Sequence, residues 1–204
     1  MRRTKEEAAI TRETVLKVAL SVFSAKGYAA TSLEDIAREA GVTRGAIYWH
    51  FKSKADLYNT LVESVSARAN TVVQEAAAEG GSLTEVLQRI FVRQMTLIEE
   101  DTELRALAEL MLFKTGPARA LASGRKKQIE SGKALIAEIA EVMRQGIRQG
   151  VLRSDLDPDN IARAFLALQN GAIQLWLLAP KSFSLKKSAE GLASILLKGI
   201  EAKV

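Results

Sequence analysis

The chain has 204 residues, a formal net charge of +5 and no cysteine. Its length is enough for one or two domains with a sizeable core, and the lack of cysteine excludes a disulfide framework and thiolate chemistry. No apolar run reaches the ~18 residues of a membrane span. The start, "MRRTKEEAAITRE", has no apolar signal region, so we expect a cytoplasmic protein.

The first third of the chain predicts four helices. Apolar residues recur at helical spacing in "RETVLKVALSVFSAKG", and Gly27 marks the end of that helix. Ser32 with Asp35 three residues later resembles a capping box, and it starts a short helix that ends at Gly41. Thr43 can cap a third helix that runs to about His50, and a fourth helix covers 53–78. Two short helices joined by a three-residue turn form a helix-turn-helix pattern.

The rest of the chain also predicts helices. After the break "AAAEGGS", the capping pair Ser82 and Glu85 restarts helical structure. The predicted segments are 83–99, 102–113, about 118–149, 159–178 with Asp157 as its N-cap, and about 185–202. No strand alternation or internal repeat is present in the sequence. The sequence therefore predicts an all-α fold of about nine helices.

The helix at 159–178 is apolar on nearly all sides, which predicts burial on all sides. It can be a central core helix, or it can meet a copy of itself across a two-fold axis. The apolar stripe of the last helix favours a homodimer. The candidates for the dimer interface are Phe165, Ile173, Trp176, Leu192, Ile195 and Leu196.

The second helix of the helix-turn-helix is the candidate for reading double-stranded DNA. No acid lies between Glu39 and Asp56, while Arg44, Lys52 and Lys54 are basic, which suits phosphate contact. At the N-terminal end of the helix, Arg44 can pair with guanine, Gly45 allows close approach and Ala46 can contact a thymine methyl. Thr43 also lies at this end, where base edges are within reach.

The aromatic residues at the far end of this helix face in different directions. Residues 48–50 span an arc of about 200°, so Tyr48, Trp49 and His50 cannot all pack into one core. Their N–H and O–H groups are donors suited to phosphate oxygens. Phe51 and Ile47 are four residues apart, and we expect both to face the core.

Residues 12–63, with "TSLEDIAREAGV" and "GAIYWHFKSKADL", resemble the DNA-binding domain of the TetR family of bacterial repressors, in particular its drug-efflux repressors. The remainder is similar to the family only in pattern. The resemblance implies an N-terminal three-helix DNA-binding domain in 1–55, a connecting helix 53–78, and a larger effector-binding and dimerisation domain in 56–204. The implied DNA contacts are Ser32, Thr43, Arg44, Gly45, Tyr48, Trp49, His50 and Lys54.

The resemblance also implies a ligand-released homodimeric repressor on a palindromic operator, with a small hydrophobic or cationic effector and an efflux pump as its plausible target. Asn170 and Gln174 share a helix face, either at a dimer interface or in a cavity. Glu109 is a candidate for attracting a cation, or a residue of a solvated face. Further candidate pocket residues, each of which can also be ordinary core, are Phe91, Met95, Leu110, Met111 and Phe113.

Catalysis finds no support in the sequence. A single histidine without cysteine makes a poor zinc site, and "DLDPDN" lacks the ligand order of a calcium loop. We therefore expect no enzyme, no cofactor and no metal. The alternative function is a helical adaptor that binds an acidic protein partner through its basic N-terminal surface.

Overall fold

The computed structural model describes residues 5–202. Nine α-helices lie in this part of the chain, and it contains no β-strand beyond one isolated bridge between Leu152 and Glu201. Their bounds are α1 Lys5–Ala30, α2 Leu33–Glu39, α3 Arg44–His50, α4 Lys54–Ala78, α5 Leu83–Glu100, α6 Thr102–Glu109, α7 Ala122–Arg148, α8 Pro158–Leu178 and α9 Leu185–Ile200. The predicted all-α fold is confirmed.

The helix starts follow the predicted caps. Ser32 and Ser82 each form a capping box, with Asp35 and Glu85 respectively. The hydroxyl of Thr43 accepts a hydrogen bond from the Ala46 N–H, and Asp157 caps α8 ahead of Pro158. Each cap satisfies backbone N–H groups that have no partner within the first turn of a helix.

Two stretches depart from regular α-helix. Gly27 breaks α1 with φ 78° and ψ 162°, a region that residues with a Cβ seldom adopt. The predicted helix 102–113 is α-helical only as far as Glu109. It continues as a π-helix over Leu110–Lys114. A short 3₁₀ turn at Arg119–Leu121 then leads into α7, which runs without interruption to Arg148.

The chain divides into two compact units. The first ends at Ala67 and also includes Thr102–Gly124; the second comprises Arg68–Asp101 and the chain from Arg125 onward. In the first unit α1 packs against α2, α3, α6 and the π-helix. In the second, α5, α8 and α9 pack against one another.

The first unit is built around the apolar face of α1. Phe23 stacks on Tyr28 with ring centroids 5.6 Å apart, and the ring of Tyr58 from α4 meets both edge-on. The Tyr58 hydroxyl lies 3.0 Å from that of Thr115, just after the π-helix. Aromatic packing of this kind adds to the hydrophobic burial that fixes α1 against α4.

Helix α8 is the one described helix that is long and apolar enough to cross a bilayer. The core helix of a globular protein meets the same criteria, and α8 buries one side against α5 and α9. A central core helix is excluded as the reason for its apolar sides, because Leu175 and Leu178 are both 63% exposed, and contact with a second copy stays a prediction.

Candidate nucleic-acid interface

The helix-turn-helix is held by short local hydrogen bonds. The Ser32 hydroxyl accepts from the Asp35 N–H at 3.0 Å and donates to the Asp35 carboxylate at 2.8 Å. That carboxylate also accepts from the Ser32 N–H and pairs with Lys26 and Arg38. These partners, the backbone N–H of Ser32 first among them, hold the pKa of Asp35 well below its usual range. A phosphate contact by the Ser32 hydroxyl would require its hydrogen bond to Asp35 to break.

The turn between the two helices is tight because Gly41 takes the left-handed conformation, with φ 64°. The Val42 N–H then donates to the carbonyl of Ala37 at 3.0 Å. This closes the end of α2 and brings the chain directly to Thr43, the N-cap of α3.

One side of α3 anchors it to the unit. Ile47 and Phe51 are completely or almost completely buried, as the sequence predicted. The guanidinium of Arg12 from α1 lies 5.5 Å from the centre of the Phe51 ring on its face. The anchoring residues are four positions apart, so they lie on the same side of the helical turn.

The opposite side of α3 faces solvent. Tyr48 is 46% exposed and Trp49 is 82% exposed, so the prediction that the aromatic run cannot all pack inward is confirmed. His50 and Ala46 are half-buried, while Thr43, Arg44 and Gly45 are exposed. Large exposed aromatic side chains beside basic groups are suited to contacting a nucleic-acid surface.

Arg44, the first residue of α3, is held from two sides. Its guanidinium forms an ion pair with Glu34 of α2, and its Nη2 donates to the Tyr48 hydroxyl at 3.1 Å. The same guanidinium lies 5.3 Å from the centre of the Tyr48 ring. The hydrogen bond to Tyr48 and the charge of Glu34 raise the pKa of Arg44.

Lys54 occupies a different place from the other basic residues. Its ammonium donates to the carbonyls of Tyr28 at 2.9 Å, Thr31 at 2.7 Å and, more weakly, Ala29 at 3.4 Å. It also lies 4.5 Å from the centre of the Tyr28 ring, and burial lowers its pKa. Lys54 therefore satisfies carbonyls in the last turn of α1 and directly after it, while the Lys52 side chain is exposed.

Two residues near α3 have contacts that the sequence does not predict, Glu34 of α2 and Arg12 of α1. Their contacts with Arg44 and Phe51 join residues that are 10 and 39 positions apart. No periodicity in the sequence links such positions, so only the packing of three helices reveals them.

The predicted pocket residues are divided between the two units. Leu110 is buried in the first unit, where Met111 and Phe113 are exposed at 38% and 43%. Glu109 lies 3.9 Å from Lys114, so a basic side chain already faces this carboxylate. Phe91 and Met95 are fully buried in the second unit, and the Phe91 ring meets Phe165 edge-on at 5.7 Å.

The amide of α8 that is buried within the protomer is Gln169, and the placement of Asn170 and Gln174 at a dimer interface stays a prediction. Asn170 and Gln174 are exposed, whereas Gln169 is only 5% exposed. The Gln169 side chain donates to the side-chain carbonyl of Gln94 on α5. An apolar helix gives little indication of which polar residue faces inward, and the packing of α5 on α8 decides it.

The dimer-interface candidates also divide into two groups. Phe165 and Trp176 are 4% and 3% exposed, so they belong to the core of the protomer and not to its surface. Ile173, Leu192 and Leu196 are half-buried, and Ile195 is 72% exposed. Exposed Leu175 and Leu178 on α8 join Ile195 of α9 as apolar surface of the second unit.

Comparison with known proteins finds transcriptional regulators that are similar in sequence or in structure. The chain is 34% identical to the HTH-type transcriptional regulator AcrR of Shigella flexneri over 97% of this chain and 92% of that protein. The structure of NalD, the secondary repressor of the MexAB-OprM multidrug efflux pump in Pseudomonas aeruginosa, superposes with a TM-score of 0.87 at 26% identity, covering 98% and 100% of the two chains.

A third relative has been seen with a small molecule. SmeT, the repressor of the Stenotrophomonas maltophilia multidrug efflux pump SmeDEF, superposes with a TM-score of 0.79 at 26% identity over 94% of this chain and 91% of its own. Its triclosan complex gives a TM-score of 0.80, also at 26% identity, and covers 95% and 93% of the two chains.

The two parts of the chain match two family descriptions. Residues 15–61 match the bacterial regulatory proteins of the tetR family, and residues 83–201 match the C-terminal region of MAATS-type transcriptional repressors. The members of this family are DNA-binding transcription factors rather than enzymes. The chain therefore belongs to the TetR family of bacterial transcriptional regulators.

Proposed function

We propose that this repressor acts as a cytoplasmic homodimer on a palindromic operator and that a small hydrophobic effector releases it. The observation that carries the proposal is the exposed side of α3, which presents Thr43, Arg44 and Gly45 at its N-terminal end and Tyr48 and Trp49 beyond. The front of such a helix reaches base edges, and the later residues reach the backbone.

A homodimer through α8 and α9 accounts for the apolar surface of the second unit. Leu175, Leu178 and Ile195 are each more than half exposed, and α8 packs beside α9. Isolated apolar residues on a surface need no explanation, but three on two adjacent helices suit a self-complementary contact. Two recognition helices separated by one turn of DNA, about 34 Å, would then read the two half-sites of a palindrome.

The dimer is tested with Ile195→Glu, which places a charge on the proposed contact. Ile129→Glu on α7 is a matched control, since Ile129 is also exposed, at 60%. Sedimentation velocity should show a monomer for Ile195→Glu and a dimer for the control. A dimer for both variants would contradict the proposed contact.

Release by effector is a shift between two populations of the repressor. In one state the recognition helices fit the operator, and in the other they do not. A ligand that binds the second state more tightly lowers operator affinity, by an amount set by the ratio of its affinities for the two states. The triclosan complex of SmeT makes triclosan a suitable hydrophobic probe. Regulation of a multidrug efflux pump is part of the proposal, because NalD and SmeT, both repressors of such pumps, superpose on this chain.

A cationic effector is the second form of the proposal, and Glu109 distinguishes it. The Glu109 carboxylate is half-buried and faces Lys114 at 3.9 Å. If it attracts cations, Glu109→Gln should weaken operator release by tetraphenylphosphonium and leave the response to triclosan unchanged. If wild type and Glu109→Gln respond equally to each of the two compounds, the proposal of a cationic effector is wrong.

DNA binding is tested by fluorescence anisotropy with the duplex upstream of the protein's own gene. Operator affinity should fall linearly with the logarithm of salt concentration, because each phosphate contact releases counterions. The same measurement on a random duplex gives the specificity ratio. Absence of duplex binding, or binding that salt does not weaken, would contradict the proposal.

A further inference from the structure

The ion pair between Glu34 and Arg44 links the two helices of the helix-turn-helix on their exposed side. Glu34 lies in the first turn of α2, and Arg44 is the first residue of α3. Their side chains are 52% and 58% exposed, so the pair lies at the surface that the proposed function assigns to DNA. The Tyr48 hydroxyl accepts from the other terminal nitrogen of Arg44 at 3.1 Å.

This arrangement leaves Arg44 able to bind a base. A guanidinium has five N–H donors in a fixed plane, and two parallel donors suffice for the O6 and N7 of guanine. Glu34 engages Nη1 and Tyr48 engages Nη2, so each terminal nitrogen retains a second N–H. The Tyr48 ring beneath the guanidinium, 5.3 Å away, restricts it further. Arg44 is therefore oriented before DNA arrives.

The carboxylate also changes how Arg44 responds to phosphate. Non-specific affinity for DNA comes from basic groups that neutralise phosphates at any sequence. A charge of Arg44 that is already paired with Glu34 contributes less to that attraction, and Glu34 itself repels phosphate. A bidentate contact with guanine depends instead on the orientation of the guanidinium, which Glu34 and Tyr48 supply.

We propose that Glu34 is a specificity-determining positioning residue, which orients Arg44 toward a guanine and restrains it from pairing with phosphates. The proposal rests on the proposed function, in which α3 reads an operator. It assigns to a residue of α2 a role that is exerted through Arg44. Glu34 acts by lowering non-specific affinity more than operator affinity.

The test compares Glu34→Gln with Glu39→Gln. Both changes remove one carboxylate from exposed positions of α2, but only Glu34 pairs with Arg44. Anisotropy titrations of the full-length protein with operator and random duplexes of equal length, at several salt concentrations, give the specificity ratio and the salt slopes. Melting curves by circular dichroism check that each variant is folded.

We expect Glu34→Gln to lower the specificity ratio about threefold to tenfold. This is the change expected when one exposed ion pair is lost and Arg44 gains one phosphate contact on random DNA. Its salt slope on random DNA should become steeper by about one phosphate contact. Glu39→Gln should change both affinities alike and leave the ratio unchanged. In an Arg44→Ala background, Glu34→Gln should no longer change the ratio.

Three results would overturn the proposal. The first is a specificity ratio that is unchanged in Glu34→Gln. The second is an equal fall of the ratio in Glu39→Gln, and the third is a fall caused by Glu34→Gln in the Arg44→Ala background. A wild-type protein that binds operator and random DNA equally overturns the proposed function and the role of Glu34 together. A wild-type preference for operator with an unchanged ratio in Glu34→Gln overturns the role of Glu34 alone.

Discussion

Lys54→Ala should destabilise the first unit, in addition to any effect on DNA affinity. The ammonium makes two good hydrogen bonds, to the carbonyls of Tyr28 at 2.9 Å and Thr31 at 2.7 Å. A hydrogen bond to a charged group contributes about 1.5–3 kcal/mol, and a cation at a helix C-terminus adds about 0.3–1 kcal/mol. Lys54 is half-buried, so water replaces part of what is lost. We expect a net loss of about 2 kcal/mol.

Lys52→Ala is the matched control, because it removes the same charge two residues earlier from an exposed side chain. Its stability should stay within about 0.5 kcal/mol of wild type. Its affinity for DNA should fall by the same factor on operator and random sequences, and the salt dependence of binding should decrease by about one phosphate contact. The comparison separates a lysine that only contacts phosphate from one that also stabilises the end of α1.

Hydrogen exchange followed by mass spectrometry is the appropriate assay, since it reports on each segment of the full-length chain. Exchange in peptides that cover the end of α1 should accelerate about 30-fold in Lys54→Ala, which corresponds to 2 kcal/mol, and remain unchanged in Lys52→Ala. Unchanged protection in Lys54→Ala, together with weaker DNA binding, would show that phosphate contact is the main role of this lysine.

Three further predictions concern the first unit. Arg44→Ala should relax base preference by about 1–3 kcal/mol at one position of the operator, measured by competition between base-substituted duplexes; equal losses on operator and random DNA would contradict this. Gly27→Ala should lower the unfolding free energy by about 1–3 kcal/mol in urea, because φ is 78° and the new Cβ would lie 3.1 Å from the carbonyl oxygen of Lys114. The lowered pKa of Asp35 means that the stability from its carboxylate is present above the ordinary value of 3.8 and is lost as pH falls through the lower folded value. The urea midpoints of wild type and Asp35→Asn should therefore differ at neutral pH and converge in acid, and a difference independent of pH would refute the charge effect.

The features that the sequence predicted well are those determined within a few residues. The caps at Ser32, Thr43, Ser82 and Asp157 each bond to a backbone N–H three positions later. Such contacts form inside one turn, so residue type and spacing suffice to identify them. The boundaries of α2 to α5 followed, to within two residues, from such caps and from turn glycines, whereas α1 begins earlier than predicted, at Lys5, and continues past the predicted stop at Gly27 to Ala30.

The features that the sequence did not predict depend on contacts between distant segments. Lys54 bonds to carbonyls 23 to 26 positions away, and Gln169 bonds to Gln94 across 75 positions. In α8 the apolar residues surround the helix, so periodicity could not separate Gln169 from Asn170 or Gln174. Its inward side is fixed by α5 and α9, which pack against it.

Helix α3 and its C-cap Phe51 carry one row of residues for folding and another that is proposed for recognition. Ile47 and Phe51 form one row at a spacing of four and are buried, while Arg44 and Tyr48 form another row at the same spacing and are exposed. Trp49 lies about 100° around the helix from Tyr48, and its 82% exposure leaves it to contact a partner rather than the core. Because the two rows do not overlap, a substitution in the buried row should lower stability. A substitution in the exposed row should lower operator affinity at unchanged stability, since the side chains that anchor this helix are not those proposed to read the DNA.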